Sequence, residues 1–221
     1  MVGPRAHGEW FAGGLGSAFA VALAANLMAF AGAAAAGDSA SLQTITAEQW
    51  GSVPAPVAAS GSSFRSRPHS QITGLTVHHQ GEIWRDGADV AAYLRRLQQW
   101  SRRERVWVDV PYHFVIAPDG VVYEGRSLEW AGDSNTAYLT AGQVQVMLLG
   151  NFQEQEPSAA QLLSATRLLA KLMVTYSLGP QTIVAHRHHT TQTVCPGQNL
   201  MAVFDDLRRE AHRLARAEVA R

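Results

Sequence analysis

Cysteine and net charge are both scarce in this sequence. Cys195 is the only cysteine among the 221 residues, so an internal disulfide is impossible. Lys and Arg together number 18, and Asp and Glu together also number 18, so the formal net charge is zero. The sequence therefore lacks the excess of basic residues that is typical of nucleic-acid binding. No internal repeat is present either. A hydrophobic content of 47% allows a sizeable core, so we expect one globular domain with appendages and no nucleic-acid partner.

The amino-terminal segment has the composition of an export signal. Residues 15–36 are apolar almost throughout and end in small residues, as a signal peptide does before its cleavage site. A run of about 20 apolar residues can also span a bilayer. No cysteine directly follows the run, which excludes a lipoprotein anchor. We predict that residues 1–37 are a signal peptide or an N-terminal membrane anchor, and that the rest is exported to the periplasm, the cell wall or the medium.

Strand-like and helix-like stretches alternate through the rest of the chain. Short β-branched and apolar runs predict strands at 72–80, 143–150 and 182–185, and a β-hairpin about the Pro-Asp-Gly turn within 108–126. Apolar residues at helical spacing predict helices at 87–100, 158–178 and 201–221. Strands interleaved with helices predict an α/β fold, a single domain with a central mixed β-sheet flanked by helices.

Composition also suggests where segments of the chain begin and end. Residues 38–64 are rich in Ala, Ser, Gly and Pro, which predicts a linker and leading segment from which Trp50 packs back on the domain. Residues 65–205 are predicted to form the main domain, and residues 206–221 a C-terminal helix.

Two stretches predict which side chains face the core. The helix at 87–100 carries an apolar stripe that is expected to be core, with Gln98 turned outward; the stripe consists of Val90, Tyr93, Leu94, Leu97 and Trp100. Before the Pro-Asp-Gly turn, period-2 alternation places Tyr112 and Phe114 on one face and His113 on the other. His113 is therefore not expected to share a site with Tyr112.

A loop near the carboxyl end gathers residues that bind zinc. Residues 185–197 hold His186, His188, His189 and Cys195, and imidazole nitrogen and thiolate sulfur are ligands that Zn²⁺ prefers. Far upstream, the strand at 72–80 ends in two more histidines. A catalytic zinc typically has three protein ligands and a fourth position for water.

The interpretation that we favour takes these three ligands to be His78, His186 and Cys195. His188 and His189 are alternatives to His186, and His79 is an alternative to His78. Without a metal, Cys195 would be a small buried hydrophobic residue beside solvated histidines.

The ordered set of motifs resembles the zinc-dependent N-acetylmuramoyl-L-alanine amidases of type 2, a family that includes the peptidoglycan recognition proteins. The resemblance covers roughly residues 45–205. It rests on ITAEQWG at 45–51, VHH at 77–79, YHF at 112–114, PDGVVYEGR at 118–126, GNF at 150–152, HR at 186–187 and TVCPG at 193–197. Any one of these motifs is weak alone, but their order is specific.

The resemblance implies an enzyme that uses Zn²⁺ to hydrolyse the amide bond between N-acetylmuramic acid and L-alanine. Residues 65–205 would then be the zinc amidase domain. Tyr112 matches the tyrosine that contacts the zinc-bound substrate, and Thr193 matches the position where relatives carry Lys or Thr beside the metal. Peptidoglycan or muropeptides are the implied partners, and a monomer is expected.

Two departures and two rival functions accompany the resemblance. Relatives often have a histidine near the Ala-Gly of the loop at 127–142, where this chain has Trp130-Ala131-Gly132, and His186 and Cys195 are one residue further apart than usual. A peptidoglycan-binding module without catalysis is one rival, although such relatives generally lack the cysteine. A structural zinc domain is the other, and it would need a fourth ligand from His188 or His189.

Overall fold

A computed structural model describes residues 41–54, 67–69 and 71–221. The predicted signal peptide or anchor at 1–37 lies outside these residues. Within the described part, no helix is long and apolar enough to cross a membrane.

The described residues form a mixed sheet of six strands, in the order β1-β4-β3-β5-β2-β6. All neighbouring pairs are parallel except β3 and β4. In chain order the strands are β1 (Thr44–Ile45), β2 (Gly74–His79), β3 (Phe114–Ile116), β4 (Val122–Glu124), β5 (Gln143–Leu148) and β6 (Ile183–Ala185). The helices are α1 (Val90–Glu104), α2 (Ala159–Tyr176), α3 (Gln198–Ala202) and α4 (Phe204–Val219).

This architecture confirms the predicted α/β fold and the predicted hairpin, which is the antiparallel β3–β4 pair. Strand β1 was not predicted. It belongs to the segment interpreted as a linker, where it pairs in parallel with β4 at the sheet edge. Trp50 follows β1 and is buried as expected, with its indole N–H donating to the Glu124 carbonyl at 2.6 Å.

The first face of the sheet carries the main apolar core. Leu75 and Val77 of β2 and Val144 and Val146 of β5 point into it and meet α2 and α4. Helix α2 begins with a capping box, because the Ser158 hydroxyl accepts from the Gln161 N–H and the Gln161 side chain returns the contact. The C-terminal helix α4 packs on this same core.

The second face is covered partly by α1, and two predictions about α1 are wrong. Gln98 is buried, with 2% exposed, because its amide donates to Asp109 at 2.8 Å and to Ser52 at 2.8 Å, so that its polar atoms keep partners. Trp100 is 38% exposed and stands edge-on to Trp107 above an open groove. The buried side of α1 consists of Leu94, Gln98 and Ser101.

The predicted alternation from Tyr112 onward is also wrong, because β3 begins only at Phe114. Just before it, the His113 Nδ1 accepts from the Gln145 N–H at 2.8 Å, and the His113 N–H donates to the Gln145 carbonyl at 2.9 Å. The His113 side chain thus accepts from a backbone N–H that would donate to a backbone carbonyl in a regular β-ladder. Tyr112 consequently packs on the second face with Val115, whereas Phe114 packs on the first.

Candidate metal centre

Two neighbouring parallel strands deliver histidines to the same edge of the sheet. Val77 of β2 pairs with Ala185 of β6, and each strand continues into a histidine, His78 and His186. Ligand sites in α/β sheets form at the carboxyl ends of parallel strands for this reason.

The loop after His186 returns Cys195 to the same place. The Arg187 N–H donates to the Cys195 carbonyl at 2.9 Å. Gly197, with φ of 92°, holds the turn that follows, and a Cβ there would collide with the backbone of Phe152. The glycine of the TVCPG motif thus allows the loop to approach closely enough to place the thiol.

His78, His186 and Cys195 form a compact donor set. One ligand atom from each lies within 4.8 Å of the other two. The Cys195 Sγ is 3.7 Å from the His78 Nδ1, and the two imidazole centroids are 4.6 Å apart. The three residues are buried, at 2%, 7% and 7% exposure for His78, His186 and Cys195. Two imidazole nitrogens and one sulfur at this spacing could hold a metal ion, and they fit the preferences of zinc.

The protonation states of these groups follow from burial. Burial lowers the pKa of His78 well below its ordinary value and lowers the pKa of His186 to about 4, so both imidazoles are neutral and available as ligands. Burial also raises the pKa of the Cys195 thiol to about 12. The His79 N–H donates to the sulfur at 3.3 Å and favours the thiolate. A metal must therefore displace the thiol proton when it binds.

The competing histidines have other partners. The His79 Nδ1 accepts from the Phe152 N–H at 3.1 Å, and the His188 Nδ1 accepts from the Ala185 N–H at 3.2 Å. The His189 Nε2 lies 3.0 Å from the Thr76 hydroxyl. Among the residues that the structure describes, the cluster that could hold a metal does not include these three histidines.

Tyr112 and Thr193 both line the groove above the donor set. The Tyr112 ring lies 5.2 Å from the His78 ring, and burial, followed by the nearby Cys195, raises the pKa of its phenol well above the ordinary value. The phenol therefore keeps its proton and can donate it. The Thr193 hydroxyl oxygen accepts from the Cys195 N–H at 3.1 Å, which leaves its own hydrogen free to donate.

The loop at 127–142 contributes contacts that the sequence did not reveal. The Thr136 hydroxyl lies 2.6 Å from the His186 Nε2, and the Ser134 hydroxyl lies 3.4 Å from it. An imidazole whose Nε2 donates to a hydroxyl has its Nδ1 lone pair available for a metal. Hydroxyl residues in an irregular loop give no periodic signal, so no sequence pattern pointed to Thr136.

A buried ion pair fixes the loop at 127–142. Asp133 follows Trp130-Ala131-Gly132 and pairs with Arg126 at 2.6 Å. The Arg126 guanidinium also donates to the carbonyls of Asp109, Val110 and Ala131. Arg126 thus holds the loop in place, and Asp133 lies in the groove wall.

The groove has a volume of about 700 Å³ and runs over the donor set. Its wall on the α1 side includes Tyr93, Trp100 and Trp107. The Arg105 guanidinium lies 5.5 Å from the Trp100 ring and 5.4 Å from the Trp107 ring, and it bonds to Asn135 of the facing loop. The groove thus combines an aromatic wall with a polar one.

Comparison with known proteins gives consistent matches. The sequence profile described as N-acetylmuramoyl-L-alanine amidase (Amidase_2) matches residues 68–198. Peptidoglycan recognition protein 1 of Bos indicus is 30% identical over 178 residues, which cover 80% of this chain and 90% of the relative. The N-acetylmuramoyl-L-alanine amidase of Homo sapiens is 29% identical over 171 residues, 74% of this chain but 27% of the human protein. Among solved structures, Drosophila PGRP-LB superposes with a TM-score of 0.62 at 22% identity, covering 75% of this chain and 94% of its own.

Proposed function

The chain belongs to the N-acetylmuramoyl-L-alanine amidase family that also contains the peptidoglycan recognition proteins, and we propose that it is a catalytic member: a zinc-dependent hydrolase of the amide bond between N-acetylmuramic acid and L-alanine. The observation that carries this proposal is the convergence of His78, His186 and Cys195 on one point at the floor of a groove. A set of three, with no fourth histidine in the described cluster, is the composition of catalytic zinc sites rather than structural ones.

The donor set would hold the ion at the floor of the groove. When bound, zinc lowers the pKa of coordinated water to about 7 and polarises a carbonyl oxygen, which is the chemistry that amide hydrolysis requires. Burial of the three ligands excludes solvent from all but the groove side and strengthens electrostatic interactions there.

Tyr112 and Thr193 would supply hydrogen bonds to the reacting amide. The Tyr112 phenol keeps its proton because burial raises its pKa, so it can donate to the oxygen that gains negative charge. The free hydroxyl hydrogen of Thr193, whose oxygen is held by the Cys195 N–H, can donate from the Cys195 side. Two donors that are already oriented need no reorganisation when the charge develops.

Peptidoglycan fragments are the ligands that the relatives suggest. A variant of Drosophila PGRP-LB was solved in complex with tracheal cytotoxin, and peptidoglycan recognition protein LE was solved with the same compound, described as a monomeric diaminopimelic acid-type peptidoglycan. The groove of this chain is of a size for such a fragment, with aromatic rings for sugar or aliphatic faces and polar groups opposite. We propose that it takes a muramoyl peptide of this class and works as an exported monomer, directed by residues 1–37.

The test is turnover of a purified muropeptide by the zinc-loaded chain, followed by mass spectrometry. The proposal expects a glycan with a free lactyl carboxylate and a peptide with a free L-alanine amine. Cys195→Ala protein is the matched control. Binding of the muropeptide without products would instead identify a recognition module, and zinc without either binding or products would identify a structural metal site.

A further inference from the structure

Two buried nitrogen atoms beside the candidate metal centre have no hydrogen-bond partner among the described residues. They are the Nε2 of His78 and the Nε2 of Gln145. Both side chains are almost completely buried, at 2% and 0% exposure. A buried polar group without a partner costs roughly 1–3 kcal/mol. A hydrogen bond that satisfies both atoms would therefore stabilise the folded protein.

The two side chains lie on the same face of the sheet. Gln145 of β5 pairs with Thr76 of β2, and His78 is two residues further along β2. The His78 Nδ1 is directed at Cys195, so Nε2 lies at the far corner of the ring from the donor set. At that corner the Gln145 side chain interacts with the ring.

The orientation of the Gln145 amide explains why both atoms lack partners. Its Oε1 accepts from the Tyr138 hydroxyl at 2.7 Å, and its NH₂ group is left without an acceptor. A half-turn of the amide exchanges oxygen and nitrogen without changing its shape. Oε1 then accepts from the His78 Nε2–H, the NH₂ group donates to the Tyr138 oxygen, and both orphaned atoms gain partners.

We propose that Gln145 is a positioning residue that accepts a hydrogen bond from the His78 Nε2–H and thereby keeps the Nδ1 lone pair directed toward Cys195 and the metal. Tyr138 fixes the amide in this orientation. The role in metal binding rests on the proposed zinc site, whereas the hydrogen bond itself does not. It gives His78 the outer partner that Thr136 gives His186, so each imidazole is held from the side opposite the metal.

The surroundings leave space for this amide and hold it in place. A Cβ at Gly132 would lie 2.5 Å from the Gln145 Nε2, so glycine is needed where the loop at 127–142 crosses the amide. The Tyr138 ring stacks on His189 at 4.6 Å with an angle of 11° between the planes. The hydroxyl that meets Gln145 therefore comes from a ring with a fixed position.

The first experiment records ¹⁵N chemical shifts of the histidine rings in the metal-free protein. The proposal expects His78 to be the tautomer with hydrogen on Nε2 in the wild type, and to populate the other tautomer in Gln145→Met, which keeps the side-chain length but has no acceptor oxygen. Wild-type His78 with its hydrogen on Nδ1 would overturn the proposal whether or not any variant folds.

The second experiment measures zinc affinity by competition with a chelator. Gln145→Met is expected to bind zinc about 10–100-fold more weakly, and Gln145→Glu, which keeps an acceptor oxygen, is expected to recover most of this loss. Tyr138→Phe should have a smaller effect in the same direction. Gln143→Met is the matched control, because Gln143 lies two residues away on the same strand and bonds to Thr76 rather than to His78.

The outcomes separate this inference from the proposed function. Equal zinc affinity in Gln145→Met and Gln143→Met would overturn the role of Gln145 in metal binding while leaving the zinc site intact. A wild-type chain that binds no zinc would overturn the proposed function, and the ring ¹⁵N shifts would still decide whether the His78–Gln145 hydrogen bond exists.

Discussion

The two faces of the sheet are built from the same strands but do different work. On the first face, successive residues of β2 and β5 such as Leu75, Val77 and Val146 enter an apolar core closed by α2 and α4. On the second face, the residues between them include Thr76, His78 and Gln145, which are buried and polar. Period-2 alternation thus places His78 and Gln145 on the face opposite the main apolar core.

Because the main core and the donor set lie on opposite faces, we expect that stability and the candidate site can be changed independently. The first face contributes mainly by removing apolar area from water, roughly 25 cal/mol for each Å². The second face combines a smaller apolar cluster, which includes Leu94 and Met147, with ordered polar atoms around a groove, and those buried polar groups need partners.

The largest effect is expected from removing the sulfur on the second face. Cys195→Ala deletes one of three donors, so we expect loss of most bound zinc and of all detectable muropeptide hydrolysis, measured by metal analysis and product release. The free energy of unfolding of the metal-free protein should change little, since the first face is untouched. Full activity in this variant would remove the assigned site.

Tyr112→Phe keeps the ring and deletes only the phenol oxygen. Because the three donors are unchanged, the zinc content should equal that of the wild type, while turnover falls about 10²–10³-fold for loss of one donor to the developing charge. Steady-state kinetics on zinc-loaded protein would measure this. An unchanged rate would show that Tyr112 only packs beside His78.

Leu169→Ala changes the first face and leaves the donor set untouched. Leu169 is fully buried in the first-face core, and its truncation should lower the free energy of unfolding by about 3 kcal/mol in urea denaturation. The zinc affinity of the remaining folded protein should match the wild type. A parallel loss of zinc affinity would mean that the two faces are coupled.

The smallest effect concerns pH. Burial lowers the pKa of His113 from 6.5 to about 3 in the folded protein, although its bond to the Trp130 carbonyl opposes this. The unfolded chain binds the proton more readily, so the contribution of His113 to the free energy of unfolding is fully present above pH 6.5 and is lost as the pH falls from 6.5 toward 3. When the pH falls from 6 to 5, the free energy of unfolding of His113→Gln should decrease by about 1 kcal/mol less than that of the wild type. Equal losses in urea titrations would contradict this burial effect.

Sequence patterns predicted the elements well because their signals are local. The β-branched run before His78, the Pro-Asp-Gly turn and the apolar stripe of α2 each depend on neighbouring residues, and each lies where expected. The ordered motifs also named the residues that the structure brings together as donors, although their role in metal binding stays a prediction.

Long-range partners account for what the sequence did not predict. The polarity of Gln98 alone suggested that it faces solvent. Its amide is buried because it donates to Ser52, which is distant in sequence, and to Asp109, which follows the turn after α1. Gln145 interrupts an apolar strand without any pattern that links it to His78 or Tyr138. Such pairings exist only after the strands align, so single-sequence periodicity cannot report them.

The most direct measurement is X-ray absorption at the zinc edge of the zinc-loaded wild-type chain. An open site on His78, His186 and Cys195 predicts one sulfur at about 2.3 Å and two imidazole nitrogens at about 2.0–2.1 Å, with no third imidazole. A zinc shell without sulfur, or one closed by a third histidine, would contradict the account.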